Sequence, residues 1–181
     1  SVTEPRLPDS EKFYTSEEIP AITPAFTREE IFRSVMELTG RSEMALLTMY
    51  VYRQMDLIDW IPYIKASMER NPVCFSELEA MLVDEVYGIL RELPGESIYD
   101  GKRLALPDEV WNFKRGDGLE KAVLLADFIG MKYPGSNMQI EISDYRAVVR
   151  YRTEEYPFPS SMDFRKLISI SGRVYSVKDL S

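Results

Sequence analysis

The chain has 181 residues and contains no histidine. Histidine is the side chain that most often acts as a general acid or base near neutral pH, and it is the commonest metal ligand. Its absence excludes every Cys-His and Ser-His catalytic arrangement, whatever the fold. We expect no cofactor and no metal site.

Cysteine is almost absent as well. Cys74 is the only one, so no internal disulfide can form. Its neighbours Val73 and Phe75 are apolar, which predicts a buried thiol that packs as a small hydrophobic side chain. A single cysteine also suits a reducing compartment, which slightly favours the cytoplasm.

Basic residues are outnumbered by acidic ones, and long apolar runs are absent. Lysine and arginine number 22 against 30 aspartates and glutamates, which gives a formal net charge of −8. Such a charge repels phosphate groups, so nucleic acid is not an expected partner. No stretch approaches the roughly 20 consecutive apolar residues of a transmembrane helix, so membrane insertion is not expected either.

The remaining composition is that of a globular protein, with 45% apolar and 29% charged residues. Residues 1–26 contain four prolines and no sustained periodicity, which indicates an extended arm or linker. Thr27 and Glu30 then form a capping-box pattern that predicts a helix over 28–39. Helical spacing continues, so we interpret residues 27–106 as a helical subdomain with helices at 42–56, 57–69 and 76–92 and a short strand at 103–106.

The pattern changes in the last part of the chain. A helix is predicted over 117–129, followed by alternating apolar and polar residues at 138–142, 147–152, 167–170 and 173–177. Residues 107–181 are therefore expected to form one helix packed on a small antiparallel sheet. The prediction for the whole is an α+β protein in which residues 27–181 make one compact domain.

The most informative stretch is residues 112–126, which read NFKRGDGLEKAVLLA. It resembles the core of the transglutaminase-like, papain-like superfamily, whose members carry Gly-Asp-Cys before a helix containing Ala and Leu, followed by a small sheet. The resemblance covers about residues 107–181.

The resemblance implies a degenerate member of that superfamily. The nucleophilic Cys of the family stands at the helix N-terminus, where amides and the helix dipole favour the thiolate, and here that position is Gly118. The family's His lies on a strand and corresponds to Arg146 or to Arg165, two registers that both remain open. Its Asp lies on the next strand, and Asp179 is the candidate for that position.

A helix N-terminus with outward-pointing amides can hold an anion, and several basic residues lie near Gly118 in sequence. Strand arginines and tyrosines can in addition grip a sugar or a peptide. The candidate ligand-binding residues are Lys114, Arg115, Asp117, Gly118, Lys121, Tyr145, Arg146 and Tyr175. Asp117 is also expected to act as a structural N-cap, a role that is compatible with an anion site.

The sequence thus predicts a catalytically inactive transglutaminase-like domain that binds or scaffolds a protein or glycan partner within a larger assembly. The alternative is an enzyme that acts on a glycan in the same cleft, with Asp117, Asp163 and Asp179 as candidate carboxylates. Two carboxyl groups about 5 to 10 Å apart across a groove would favour the enzyme. A cleft lined by arginines and aromatic residues without such a pair would favour the binding module.

Overall fold

A computed structural model of the chain describes residues 21–180. It divides between Met49 and Tyr50 into two units, of which residues 21–49 and 50–180 respectively are described. Most of the predicted extended arm, residues 1–20, lies outside the described residues. Residues 21–26 are irregular apart from one turn.

The helices of the described residues come first in the chain. They are α1 (Arg28–Leu38), α2 (Glu43–Tyr52), α3 (Trp60–Glu69), α4 (Pro72–Leu78), α5 (Val83–Glu92), α6 (Pro107–Phe113) and α7 (Gly118–Lys132). The strands follow as β1 (Asn137–Ser143), β2 (Arg146–Tyr151), β3 (Glu154–Pro159), β4 (Lys166–Ser171) and β5 (Val174–Asp179). The predicted α+β class is confirmed.

The first unit contains α1, whose start follows the predicted capping box. The Thr27 side chain accepts a hydrogen bond from the Glu30 amide, and the Glu30 carboxylate accepts one from the Thr27 amide at 2.7 Å. These two amides are thereby satisfied. The predicted helix over 28–39 is confirmed to within one residue.

The second unit is built on a five-stranded antiparallel sheet with strand order β3-β2-β1-β4-β5. Helix α7 lies on one face of this sheet, and its residues from Gly118 to Ile129 are all buried. Alternate residues of the strands form the buried face, as period-two spacing requires. They are Met138, Ile140, Ile142, Ala147, Val149, Tyr151, Tyr156, Phe158, Ile168 and Ile170.

Two predicted elements are wrong. The predicted helix over 76–92 is two helices, and Ser76 lies inside α4 instead of capping a new helix. Helix α4 begins at Pro72 because the Asp108 carboxylate, from outside the helix, accepts hydrogen bonds from the amides of Val73 and Cys74. The predicted strand at 103–106 is a single bridge between residues 54 and 103.

Two elements escaped the prediction. Helix α6 starts at Pro107, and the Leu106 amide donates a hydrogen bond to the Glu109 carboxylate at 2.7 Å. This capping contact was not predicted because the cap residue is a leucine, which has no side-chain acceptor. Strand β3 contains Pro157 and Pro159, which break the usual strand signature. Proline is tolerated there because β3 is an edge strand.

Within the described residues, no helix has the length and apolar character needed to cross a membrane.

The core of the second unit contains a buried carboxyl group on α7 that lies beside the thiol of Cys74. Asp127 of α7 is 1% exposed, and its Oδ2 lies 3.9 Å from the thiol of Cys74. Burial raises the pKa of Asp127 to about 8, and Asp108 adds to the effect. Cys74 is buried, as predicted, and burial likewise raises the pKa of its thiol.

We predict that Asp127→Asn flattens the dependence of stability on pH. Because the pKa of about 8 in the folded state lies above the ordinary value, the folded chain keeps a proton that the unfolded chain has lost. Wild-type stability should therefore fall between about pH 4 and pH 8, by at most about 1.4 kcal/mol per pH unit from this group. The measurement is the free energy of urea unfolding across this range, for both proteins.

Asp100→Asn is the matched control, because Asp100 is exposed. It should leave the wild-type slope unchanged. Equal slopes for wild type and Asp127→Asn would show that Asp127 is ionised in the folded chain.

Candidate functional site

The start of α7 is closed by the side chain of Asp117. This carboxylate is fully buried and accepts hydrogen bonds from the Leu119 amide (2.8 Å), the Ser160 hydroxyl (2.5 Å) and both the amide and hydroxyl of Ser161 (2.6 and 2.8 Å). Asp117 therefore joins the N-terminus of α7 to the segment that leaves β3. Its structural role as an N-cap is confirmed.

Glu120 completes the closure from the other side. Its carboxylate is also fully buried and accepts hydrogen bonds from the Asp117 amide (2.7 Å), the Ser97 hydroxyl (2.7 Å) and the Ala105 amide (2.6 Å). The polar groups around this helix start are thus satisfied within the protein. Of the amides that the sequence suggested as an anion site, those of Leu119 and Glu120 donate to the Asp117 carboxylate, and that of Lys121 donates to the Asp117 carbonyl.

Gly118 has no room for a side chain. A Cβ atom built on it would lie 1.9 Å from the carbonyl oxygen of Pro159 and 3.1 Å from Cβ of Phe158. Strand β3 therefore occupies the space that a side chain at position 118 would need. Glycine at this position is required by the close approach of two backbones.

The two registers for the family's His separate clearly. Arg146 of β2 lies opposite Pro159, the residue that contacts Gly118. Asp179 of β5 lies opposite Lys166, at the other edge of the sheet from β3. Four strand spacings separate the two edges, which is roughly 19 Å.

Asp179 and Gly118 therefore belong to different parts of the molecule. Arg165, which directly precedes β4, belongs to the Asp179 side of the sheet, and its guanidinium lies 3.8 Å from the Asp144 carboxylate. For the Arg146 register, the next strand is β3, and the residue opposite Arg146 there is Pro159, which has no acidic side chain. Neither register assembles a base and an acid beside position 118.

Three other candidate binding residues, Lys114, Arg115 and Tyr175, each contact a neighbouring side chain. Lys114 ends α6 in a left-handed conformation, with its ammonium 3.2 Å from the centre of the Trp111 ring. Arg115 pairs with Glu96 at 2.7 Å. Tyr175 is on β5, where its hydroxyl donates to Glu69.

Lys121 and Arg146, in contrast, meet in one pocket of about 580 Å³ beside β3. Tyr145, 60% exposed in the turn between β1 and β2, directly precedes Arg146. The pocket is lined by Tyr87, Arg91, Lys121, Arg146, Pro157, Phe158 and Pro159. We call it the β3 pocket.

The lining of the β3 pocket contains three basic side chains and no carboxylate. Lys121 is 4% exposed, its Nζ donates to the Leu93 carbonyl at 2.5 Å, and burial lowers its pKa. The Arg91 guanidinium lies 5.6 Å from the centre of the Tyr87 ring. Arg146 is exposed and has no ion-pair partner among the described residues.

Tyr87 forms a rigid wall of this pocket. Its hydroxyl donates to the Pro157 carbonyl at 3.0 Å, and its ring makes edge-to-face contacts with Tyr156 and Phe158 at centroid distances of 5.1 and 5.2 Å. The ring is thus fixed on three sides, with Arg91 above it. The pocket offers a positive potential over a preformed apolar wall.

The carboxylates named for an enzymatic alternative do not face a common cleft. Asp117 is fully buried, Asp163 is exposed, and Asp179 pairs with Lys166 at the far edge of the sheet. Within the part of the chain that the structure describes, no group of three or more Cys, Asp and Glu residues is placed to hold a metal ion.

The sequence-based candidates omitted Pro157, Phe158 and Pro159 of β3, and also two side chains from another element, Tyr87 and Arg91. Both lie on α5 at a spacing of four residues, so they share one helix face. That spacing was a usable signal, but nothing in the sequence indicated that this face meets β3.

No family model, no curated protein and no solved structure matches this chain.

We predict that Gly118→Ala and Gly118→Cys strongly destabilise the second unit. A Cβ atom 1.9 Å from the Pro159 carbonyl oxygen forces α7 away from β3, at a cost of about 3 kcal/mol or more. The measurement is the free energy of unfolding in urea.

Gly88→Ala is the control, because Gly88 lies within α5 and a Cβ atom there meets nothing within 4 Å. That change should be neutral or stabilising by up to about 1 kcal/mol. Wild-type stability in both Gly118 variants would contradict the close contact between α7 and β3.

Proposed function

We propose that this chain is a non-catalytic binding module that holds an acidic peptide segment in the β3 pocket. The observation that carries the proposal is a preformed pocket with three basic side chains, an apolar wall and no carboxylate in its lining. It lies beside the helix start where the related enzymes would keep their nucleophile.

The absence of catalysis is supported by the three positions that would need reactive groups. Gly118 is packed against Pro159, Arg146 replaces a base with a permanent cation, and Pro159 stands on the strand where an acid would be expected. With no histidine in the chain, no group in the pocket has an ordinary pKa near neutrality. On this basis we interpret the chain as a degenerate relative of the transglutaminase-like superfamily.

An anionic ligand follows from the charge distribution. The chain as a whole carries −8, yet Arg91, Lys121 and Arg146 surround one concave site. A carboxylate entering this pocket can form two parallel hydrogen bonds with the Arg146 guanidinium, which pairs with no carboxylate among residues 21–180. The overall negative charge slows the approach of anions, so we expect modest affinity that depends on local contacts.

A peptide fits the pocket better than a glycan does. Sugars stack on free aromatic faces, but the Tyr87 ring has Arg91 above it and aromatic neighbours at its edges. Pro157 and Pro159 supply rigid apolar surface suited to the aliphatic part of a glutamate or to a neighbouring apolar side chain. The remaining contacts are charge-assisted, which suits side-chain carboxylates.

We predict that Arg146→Glu weakens binding of a glutamate-rich peptide by at least about tenfold, because it reverses a charge inside the pocket. Binding is measured by fluorescence anisotropy with a labelled peptide, and by competition with the same peptide carrying glutamine for glutamate. Added salt should weaken the wild-type complex, since the contact is electrostatic.

Arg70→Glu is the matched control, because Arg70 is exposed and does not line the β3 pocket. It changes the net charge by the same amount and should reduce affinity far less. Equal losses in the two variants would indicate non-specific attraction and contradict the proposed site. Binding of a uronic-acid oligosaccharide, lost in Arg146→Glu while the peptide does not bind, would assign the pocket to a glycan instead.

A further inference from the structure

The two edges of the sheet differ in how they are protected. Edge strands expose unpaired backbone groups that can pair with another chain. Along β3 this is prevented by Pro157 and Pro159, which lack amide hydrogens, by the Tyr87 hydroxyl on the Pro157 carbonyl, and by Gly118 against the Pro159 carbonyl. Strand β5 has no proline, and its residues are mostly exposed.

The register shows which groups of β5 face outward. Ser171 and Val174 flank the two-residue turn between β4 and β5, and the Leu180 amide donates to the Arg165 carbonyl at 2.9 Å. Even-numbered residues of β5 therefore bond to β4, and the alternate residues point their N–H and C=O groups to the free edge. These outward residues are Tyr175, Val177 and Asp179. No hydrogen bond from another described residue reaches their backbone groups.

We propose that β5 pairs antiparallel with β5 of a second copy of this chain, with the twofold axis at Val177. In this register Val177 lies opposite Val177 of the partner, and Tyr175 lies opposite the partner's Asp179. The three outward residues of each strand then exchange both backbone hydrogen bonds, which joins the two sheets into one of ten strands.

The side chains of β5 are complementary to themselves in this register. On the solvent face, Val174 lies opposite the partner's Leu180, and Ser176 lies opposite the partner's Lys178. No like charges are directly opposed, and an apolar pair stands at each end. Lysine often deters edge pairing, but here Lys178 faces a serine.

A second copy suits this edge better than an unrelated strand does, because each residue already has a complementary residue on the same strand. Two copies repel each other through their net charge of −8 each. The backbone hydrogen bonds depend little on salt, whereas the repulsion is screened by it. The dimer is therefore a weak one that salt strengthens, in contrast to peptide binding in the β3 pocket, which salt weakens.

The test is the oligomeric state of the full chain by sedimentation velocity over a dilution series. Ser176→Lys places two lysines opposite each other on both sides of the twofold axis, and it should raise the dimer dissociation constant at least about tenfold. It also reduces the net negative charge, so general repulsion would change affinity in the opposite direction. The double variant with Ser176→Lys and Lys178→Glu pairs opposite charges and should restore the dimer.

A proline series tests the backbone contribution. Val177→Pro removes an amide that points to the free edge and keeps the hydrogen bonds to β4, so it should abolish the dimer. Glu155→Pro makes the equivalent change on β3 and should leave the dimer intact, and circular dichroism checks that both variants fold. A chain that is monomeric at every concentration and salt level overturns the proposal. So does a dimer that Ser176→Lys and Val177→Pro leave unchanged.

Discussion

The second unit depends on the contact between the first residue of α7 and the last residue of β3. Gly118 allows the helix backbone to touch the Pro159 carbonyl, and Asp117 fixes the approach by bonding to the serines that follow β3. The two buried carboxylates at this junction, Asp117 and Glu120, each accept several hydrogen bonds, which is what their burial demands. The same contact that anchors the helix on the sheet removes the space a nucleophile would need.

Local signals in the sequence predicted most of the regular elements. The capping box at Thr27, the apolar face of α7 and the alternation in β1, β2, β4 and β5 are properties of short windows, so they can be read without knowing the fold. Strand β3 escaped because Pro157 and Pro159 are unfavourable in a strand unless it lies at an edge, and edge position is a tertiary fact. The start of α4 escaped for a similar reason, because the Asp108 carboxylate that accepts a hydrogen bond from the Cys74 amide is 34 residues away in sequence.

The candidate site was only partly predictable for the same reason. Lys121 and Arg146 were recognised from their sequence context, but the pocket they share is made by β3 and by one face of α5. Lys114, Arg115 and Tyr175 have suitable chemistry, yet each is bound to a neighbour away from the β3 pocket. Proximity to Gly118 in sequence identified Lys121 but not the rest of the pocket, because the other lining residues lie on α5, β2 and β3.

The prolines of β3 have consequences for both edges of the sheet. They end pairing on the side where the β3 pocket lies, so that surface presents side chains and not free amides. The unpaired backbone groups are left to β5, four strands away. A ligand in the pocket and a strand on β5 can therefore be accommodated at once, because they use different chemistry at opposite edges: charge in one case and backbone hydrogen bonds in the other. This separation lets salt distinguish the two kinds of association in a single preparation.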